Sequence, residues 1–141
     1  MSREPVTIVL LGDPVPWARA GGGRSRKLFT PTRQRNNAAA LRMAAQEAMK
    51  LPPFDEPVKL ELLAEIAIPR SWSKRKQAEA LAGYLTRIRP ASKPDLSNIV
   101  KQVEDALNSI VYRDDALIVD VHASKVYGAQ PKLIVTISPI D

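Results

Sequence analysis

The chain has no cysteine, which excludes disulfides, zinc ribbons, thiol nucleophiles and cysteine-held iron–sulfur clusters together. It has one histidine, His122. That removes metal sites built on a pair of imidazoles and weakens any Ser–His–Asp reading. No apolar run approaches the roughly 20 residues of a membrane span. The N-terminus shows no basic segment followed by an apolar stretch and a small-residue cleavage site, and the absence of cysteine makes a cytoplasmic protein the expectation. An enzyme made from this chain must work with carboxylates, Lys, Arg and hydroxyls.

What is present is ordinary for a globular protein: 141 residues, 45% hydrophobic and 26% charged, enough for one core in a single domain spanning 1–141. The net charge is +6, and it is unevenly divided. Residues 1–50 hold nine basic and three acidic side chains, residues 51–94 eight and five, and residues 95–141 four and seven. A basic front half suits a polyanion, because Lys and Arg contacts to phosphate dominate nucleic-acid affinity. The alternative is that the charge serves solubility alone. An acidic remainder beside a phosphate backbone calls for a reason, and a metal ion supplies one.

The patterning predicts a strand over Val6–Leu11, a polar connection over 12–32, and a helix from Arg33 to Lys50 capped by Thr32. A second strand is expected over Lys59–Ile68, with Leu60, Leu62, Ala64 and Ile66 on one side. Ser73 offers a cap for a short helix to Ala82, ended by Gly83. After a basic loop, a helix is expected from Asp95 to Ser109. Strands over Leu117–Val126 and Lys132–Ser138 follow, joined at Gly128-Ala129-Gln130-Pro131 as a hairpin.

The helix from Asp95 carries the chemistry. Leu96, Ile99, Val100, Val103, Leu107 and Ile110 make one apolar stripe, and Asn98, Lys101 and Asp105 project from the other side. Asp95 stands at the helix mouth, where a carboxylate also serves as an ordinary cap. About 20 residues on, Asp114 and Asp115 form a pair that reads either as a solvated turn or as a metal site. Hard divalent cations take one or two carboxylates and waters, and paired metals are a standard route to phosphodiester hydrolysis. Asp105 lies roughly 15 Å beyond Asp95 along the axis, whereas metals of a two-metal site sit about 4 Å apart. Those two carboxylates therefore cannot share a site within one chain. Asp95 and Asp115 can, if the strand after Asp115 packs back beside the helix mouth. Asp105 is then expected to face solvent or an interface.

Residues 93–121, KPDLSNIVKQVEDALNSIVYRDDALIVDV, resemble the RusA family of Holliday-junction resolvases. That family has Asp-x-Asp-Asn, a Lys in the following turn, Asp-Ala-Leu and a late Asp-Asp. Pro16-Trp17-Ala18-Arg19, Phe29-Thr30-Pro31 and the run from Ile68 to Lys76 extend the resemblance over most of the chain. The resemblance implies an α+β single domain, a small mixed sheet packed by helices, in a homodimer. It makes Asp95 and Asp115 metal-binding and catalytic, with Asp114 beside them, Lys101 the catalytic lysine and Asn98 the motif asparagine. The family's second Asp falls on Ser97, so a neutral hydroxyl replaces a carboxylate. Either Asp114 or a water compensates, or activity is weakened or lost.

The implied activity is an endodeoxyribonuclease dependent on Mg²⁺, or Mn²⁺ in its place. It would resolve four-way DNA junctions by paired symmetric nicks in recombination and repair. A bacterial or phage-infected cell is the implied setting, and phage or prophage genes are common in this family. Arg19, Arg24, Arg26, Lys27, Arg33 and Arg35 form the expected DNA-binding patch. Gly21-Gly22-Gly23 opens no P-loop, because the Gly-Lys-Ser/Thr end is missing. Trp17 and Phe29 read equally as stacking platforms for unpaired bases and as core residues. Two other readings stay open: a branched-DNA binder without nuclease activity, and a non-enzymatic assembly module.

Overall fold

The computed structural model describes residues 3–17, 32–83 and 87–140. The chain runs β1 (Val6–Leu11), α1 (Thr32–Ala48), β2 (Val58–Ala67), α2 (Lys74–Ala80), α3 (Leu96–Leu107), a single 3₁₀ turn (Asp115–Leu117), β3 (Ile118–Gly128) and β4 (Lys132–Pro139). The fold is α+β, with the four strands in one mixed sheet ordered β1-β4-β2-β3. None of the described helices is long and apolar enough to cross a membrane.

Alternation sets the two layers. Leu60, Leu62 and Ala64 of β2 point to one face with Leu133, Val135 and Ile137 of β4 and Ile8 of β1, and all are buried. Leu41 and Ala45 of α1 and Ile99, Val103 and Leu107 of α3 close over them. Each of the leucines, isoleucines and valines contributes about 1.5–3 kcal/mol by leaving water. Two polar side chains are buried among the described residues, Gln34 and Gln102. Gln102 on α3 donates through Nε2 to the Gln34 carbonyl at 3.0 Å and to Asn37 Oδ1 at 3.1 Å, fixing α1 against α3.

The expected hairpin is corrected. β3 and β4 follow one another in sequence, yet β2 lies between them, parallel to β3 and antiparallel to β4. The physical reason is the apolar face of β2, buried at Val58, Leu60, Leu62 and Ala64. A β3–β4 hairpin would leave that strand at an edge with half its backbone unpaired. Residues 129–131 therefore bridge over the end of β2. There Gly128 lies against the Glu65 side chain, where a Cβ would collide.

The remaining boundaries shift by a residue or two. Ser73 caps α2 as expected, its Oγ accepting from the Lys76 amide at 3.2 Å. α3 stops at Leu107 because Asn108 leaves helical geometry and Ser109 turns left-handed, at φ 71°.

Candidate active site

At the mouth of α3, Asp95 is the residue before the first helical turn, but its carboxylate makes no cap hydrogen bond. It faces Lys93 Nζ at 3.6 Å, with both side chains exposed. The capping alternative therefore does not occupy this side chain. The segment leading into the helix is held from the sheet instead. Lys125 of β3 donates to the carbonyls of Ser92 and Pro94, each at 2.9 Å.

About two turns further along α3, Lys101 stands between two partners. Its ammonium lies 3.9 Å from Asp105 Oδ2 and 4.7 Å from the centre of the Trp17 ring. Trp17 is itself tied to the helix, its amide donating to the Asn98 carbonyl at 2.9 Å. Ser97 is exposed and Asn98 half-buried on the same first turn.

Asp114 and Asp115 enter from the other side. Asp114 caps the 3₁₀ turn, accepting from the Ala116 amide at 3.2 Å. The Asp115 carboxyl titrates above its usual range. The main cause is its hydrogen bond with Asp114, followed by burial and the charges of Asp114 and Asp105, with Lys101 opposing. Glu104 is also raised, chiefly by burial and then by Asp115 and Asp105. Its main-chain oxygen accepts from the Tyr112 hydroxyl at 2.8 Å.

These contacts give the direction of β3. Its entrance at Asp115 lies by the Lys101–Asp105 stretch of α3, and its far half, at Lys125, reaches the helix mouth. The strand does pack back beside α3, as the expectation required. The charges that act on Asp115 from α3 are those of Lys101 and Asp105. Asp105 is exposed, as expected, and also shares the electrostatic neighbourhood of Asp115. Among the described residues no group of three or more His, Cys, Asp or Glu converges as a metal cage. The set Asp95, Asp114 and Asp115 is therefore not assembled as a ready ligand shell. What the site offers is two adjacent carboxylates that repel one another, a donor set suited to one hard cation completed by water.

Arg33 and Arg35 lie exposed on the first turns of α1. Arg33 borders a cleft with Asp95 and Asn98, and Arg35 a neighbouring one with Trp17 and Asp105. Arg19, Arg24, Arg26, Lys27 and Phe29 lie outside the described residues. The sequence reading missed Lys125. The available signal was slight, because Lys125 is one of several polar residues on that strand, with Asp120, His122 and Ser124.

The raised Asp115 carboxyl has a consequence for stability. A folded acid that holds its proton more tightly than in the unfolded chain disfavours the native state once ionised. Its destabilisation is absent below the ordinary carboxylate range and grows as pH rises through the raised value. In EDTA, Asp115→Asn is expected to raise Tm at neutral pH, with the advantage shrinking on acidification. Melting curves of both proteins across pH 4–8 check this, and a constant difference would refute it.

The family model described as Endodeoxyribonuclease RusA matches residues 12–138. The uncharacterized protein YqaN of Bacillus subtilis (strain 168) is 31% identical over 141 residues, covering 96% of this chain and 97% of the relative. With that match extending over nearly its whole length, the chain belongs to the RusA endodeoxyribonuclease family.

Proposed function

We propose that the protein is a divalent-metal-dependent endonuclease that resolves four-way DNA junctions as a homodimer, one nick per subunit, in the cytoplasm of a bacterial or phage-infected cell. The observation that carries the reading is the approach of the Asp114–Asp115 pair to the Lys101 face of α3. Asp95 supports it from the helix mouth with a carboxylate not used in capping.

In this reading Asp114 and Asp115 hold the cation, Mg²⁺ or Mn²⁺, and Asp95 faces the same phosphate from the helix mouth. When bound, such an ion neutralises charge at the scissile phosphate and makes water a better nucleophile. Lys101 is steered by Asp105 and the Trp17 ring and bears on the negative charge that develops on the phosphate oxygens. Asn98 and Ser97 line the first turn of α3. Arg33 and Arg35 hold the DNA backbone, joined in this reading by Arg19, Arg24, Arg26 and Lys27.

A second reading has an observation of its own. Ser97 stands where the family pattern has a carboxylate, and no three-carboxylate cage exists among the described residues. That favours a branched-DNA-binding protein of weak or no activity. Incubating the protein with a labelled four-way junction and a matched duplex, in Mg²⁺ or EDTA, separates the two. Metal-dependent nicks confined to the junction are expected, whereas tight junction binding without nicks in any divalent metal would favour the binder. Ser97→Asp restores the missing charge and is expected to raise nicking about tenfold at limiting Mg²⁺. An unchanged metal dependence would show that Ser97 does not limit the site.

A further inference from the structure

Next to the proposed chemistry, and sharing Asp95, Asn98 and Arg33 with it, lies a cleft of about 660 Å³. That volume is within the ordinary range for small-molecule sites of about 300–1,000 Å³. Pro14, Pro16 and Trp17 form one wall, and Ile66 and Pro94 supply apolar surface from β2 and the α3 entry. The polar groups that line it are Arg33 and Lys93 as cations, Asp13 and Asp95 as acceptors, and the Asn98 amide at the first turn of α3.

Trp17 is the central feature. Its main chain is fixed to α3, so its position is set by the helix. It also borders the adjoining cavity of about 330 Å³, which carries Arg35 and Arg42. An aromatic ring with apolar walls beside it and guanidinium groups in both cavities is the composition that takes a nucleobase by its face and a phosphate by its charge. A base held in a duplex stack presents only its edge and cannot enter. An unstacked base, as at a branch point, can.

We infer that the cleft between Pro14–Trp17 and the first turn of α3 binds one unstacked nucleotide. The base lies against Trp17 and the prolines, and its phosphate is turned to Arg33 and Lys93. Asp13 and Asn98 supply hydrogen-bonding partners for the base edge. The inference rests on the proposed nuclease reading and gives that site its substrate class: DNA that has given up a base from its stack next to the phosphate facing Asp95. Trp17 thereby links substrate capture to Lys101, the residue its ring faces.

The test reads Trp17 directly. Trp72→Phe leaves Trp17 as the one tryptophan and keeps a ring against Tyr127, which Trp72 meets edge-on at 5.1 Å. In EDTA, the oligothymidylate dT4 is titrated against this protein, with inorganic tripolyphosphate as a charge control. Trp17 emission is expected to fall with dT4 and to stay constant with tripolyphosphate. Trp17→Ala should weaken binding of labelled dT4 about tenfold by anisotropy. Unchanged emission with dT4 bound, or equal quenching by tripolyphosphate, overturns the inference. Junction nicking is measured on the same preparation. Nicking without quenching removes the nucleotide cleft alone, while quenching without nicking removes the nuclease reading and leaves the cleft standing.

Discussion

Asp115→Asn is expected to slow metal-dependent nicking of a four-way junction about a thousandfold, a loss of several kcal/mol in transition-state stabilisation. The same substitution should leave the fold intact. Asp115 takes no part in capping the 3₁₀ turn, which Asp114 performs. Its charge is opposed by Asp114 and Asp105 and offset by Lys101. Removing it relieves repulsion, so activity should fall while Tm holds or rises. That opposition separates a catalytic carboxylate from a structural one, because losing a structural partner lowers both. Asp120→Asn is the matched control. It removes the same charge from an exposed position on β3, where register pairs Asp120 with Lys59. Single-turnover nicking and thermal melts of both variants decide the matter. An Asp115→Asn rate equal to the parent's would remove Asp115 from the chemistry.

How much of this was legible depended on how local the cause was. The stripe Leu96, Ile99, Val103 and Leu107 follows from helical period alone, and all but half-buried Leu96 are fully buried. The Ser73 cap depends on three residues and formed as expected. The β3–β4 link was legible as a reversal. The strand beside each was not, because pairing is decided by which apolar face most needs two neighbours, and β2 wins that competition. Gln102 lies at the edge of the α3 stripe and is buried only because α1 crosses there with the Gln34 carbonyl and Asn37. Helical rise separated Asp95 from Asp105 correctly. It could not say which end of the helix Asp115 would meet, since that is set by the direction of β3 across the sheet. Lys125 and Trp17 belong to the same class, because their roles come from elements distant in sequence.

Phe54→Ala is expected to cost about 3–5 kcal/mol, a large share of the roughly 5–15 kcal/mol that holds a domain together. Phe54 is fully buried within a loop broken by prolines. Its amide donates to the Val111 carbonyl at 2.8 Å, and its own carbonyl accepts from the Arg113 amide at 2.9 Å. Arg3 lies over its ring at 4.0 Å from the centre. These contacts sew the 50s loop to the segment that runs directly into Asp114 and Asp115, with buried Tyr112 packed in the same core cluster. Deleting the ring leaves a cavity behind that segment, so the Asp114–Asp115 pair loses its footing as the domain loses stability. Leu60→Ala in the centre of the sheet should cost about 2–5 kcal/mol without touching that loop. Urea titrations should show both variants with lower midpoints and unchanged m-values. At a temperature where both remain folded, nicking per folded molecule should fall for Phe54→Ala and hold for Leu60→Ala. Equal specific activities would mean that the loop keeps its geometry without the ring, and that Phe54 serves the core alone.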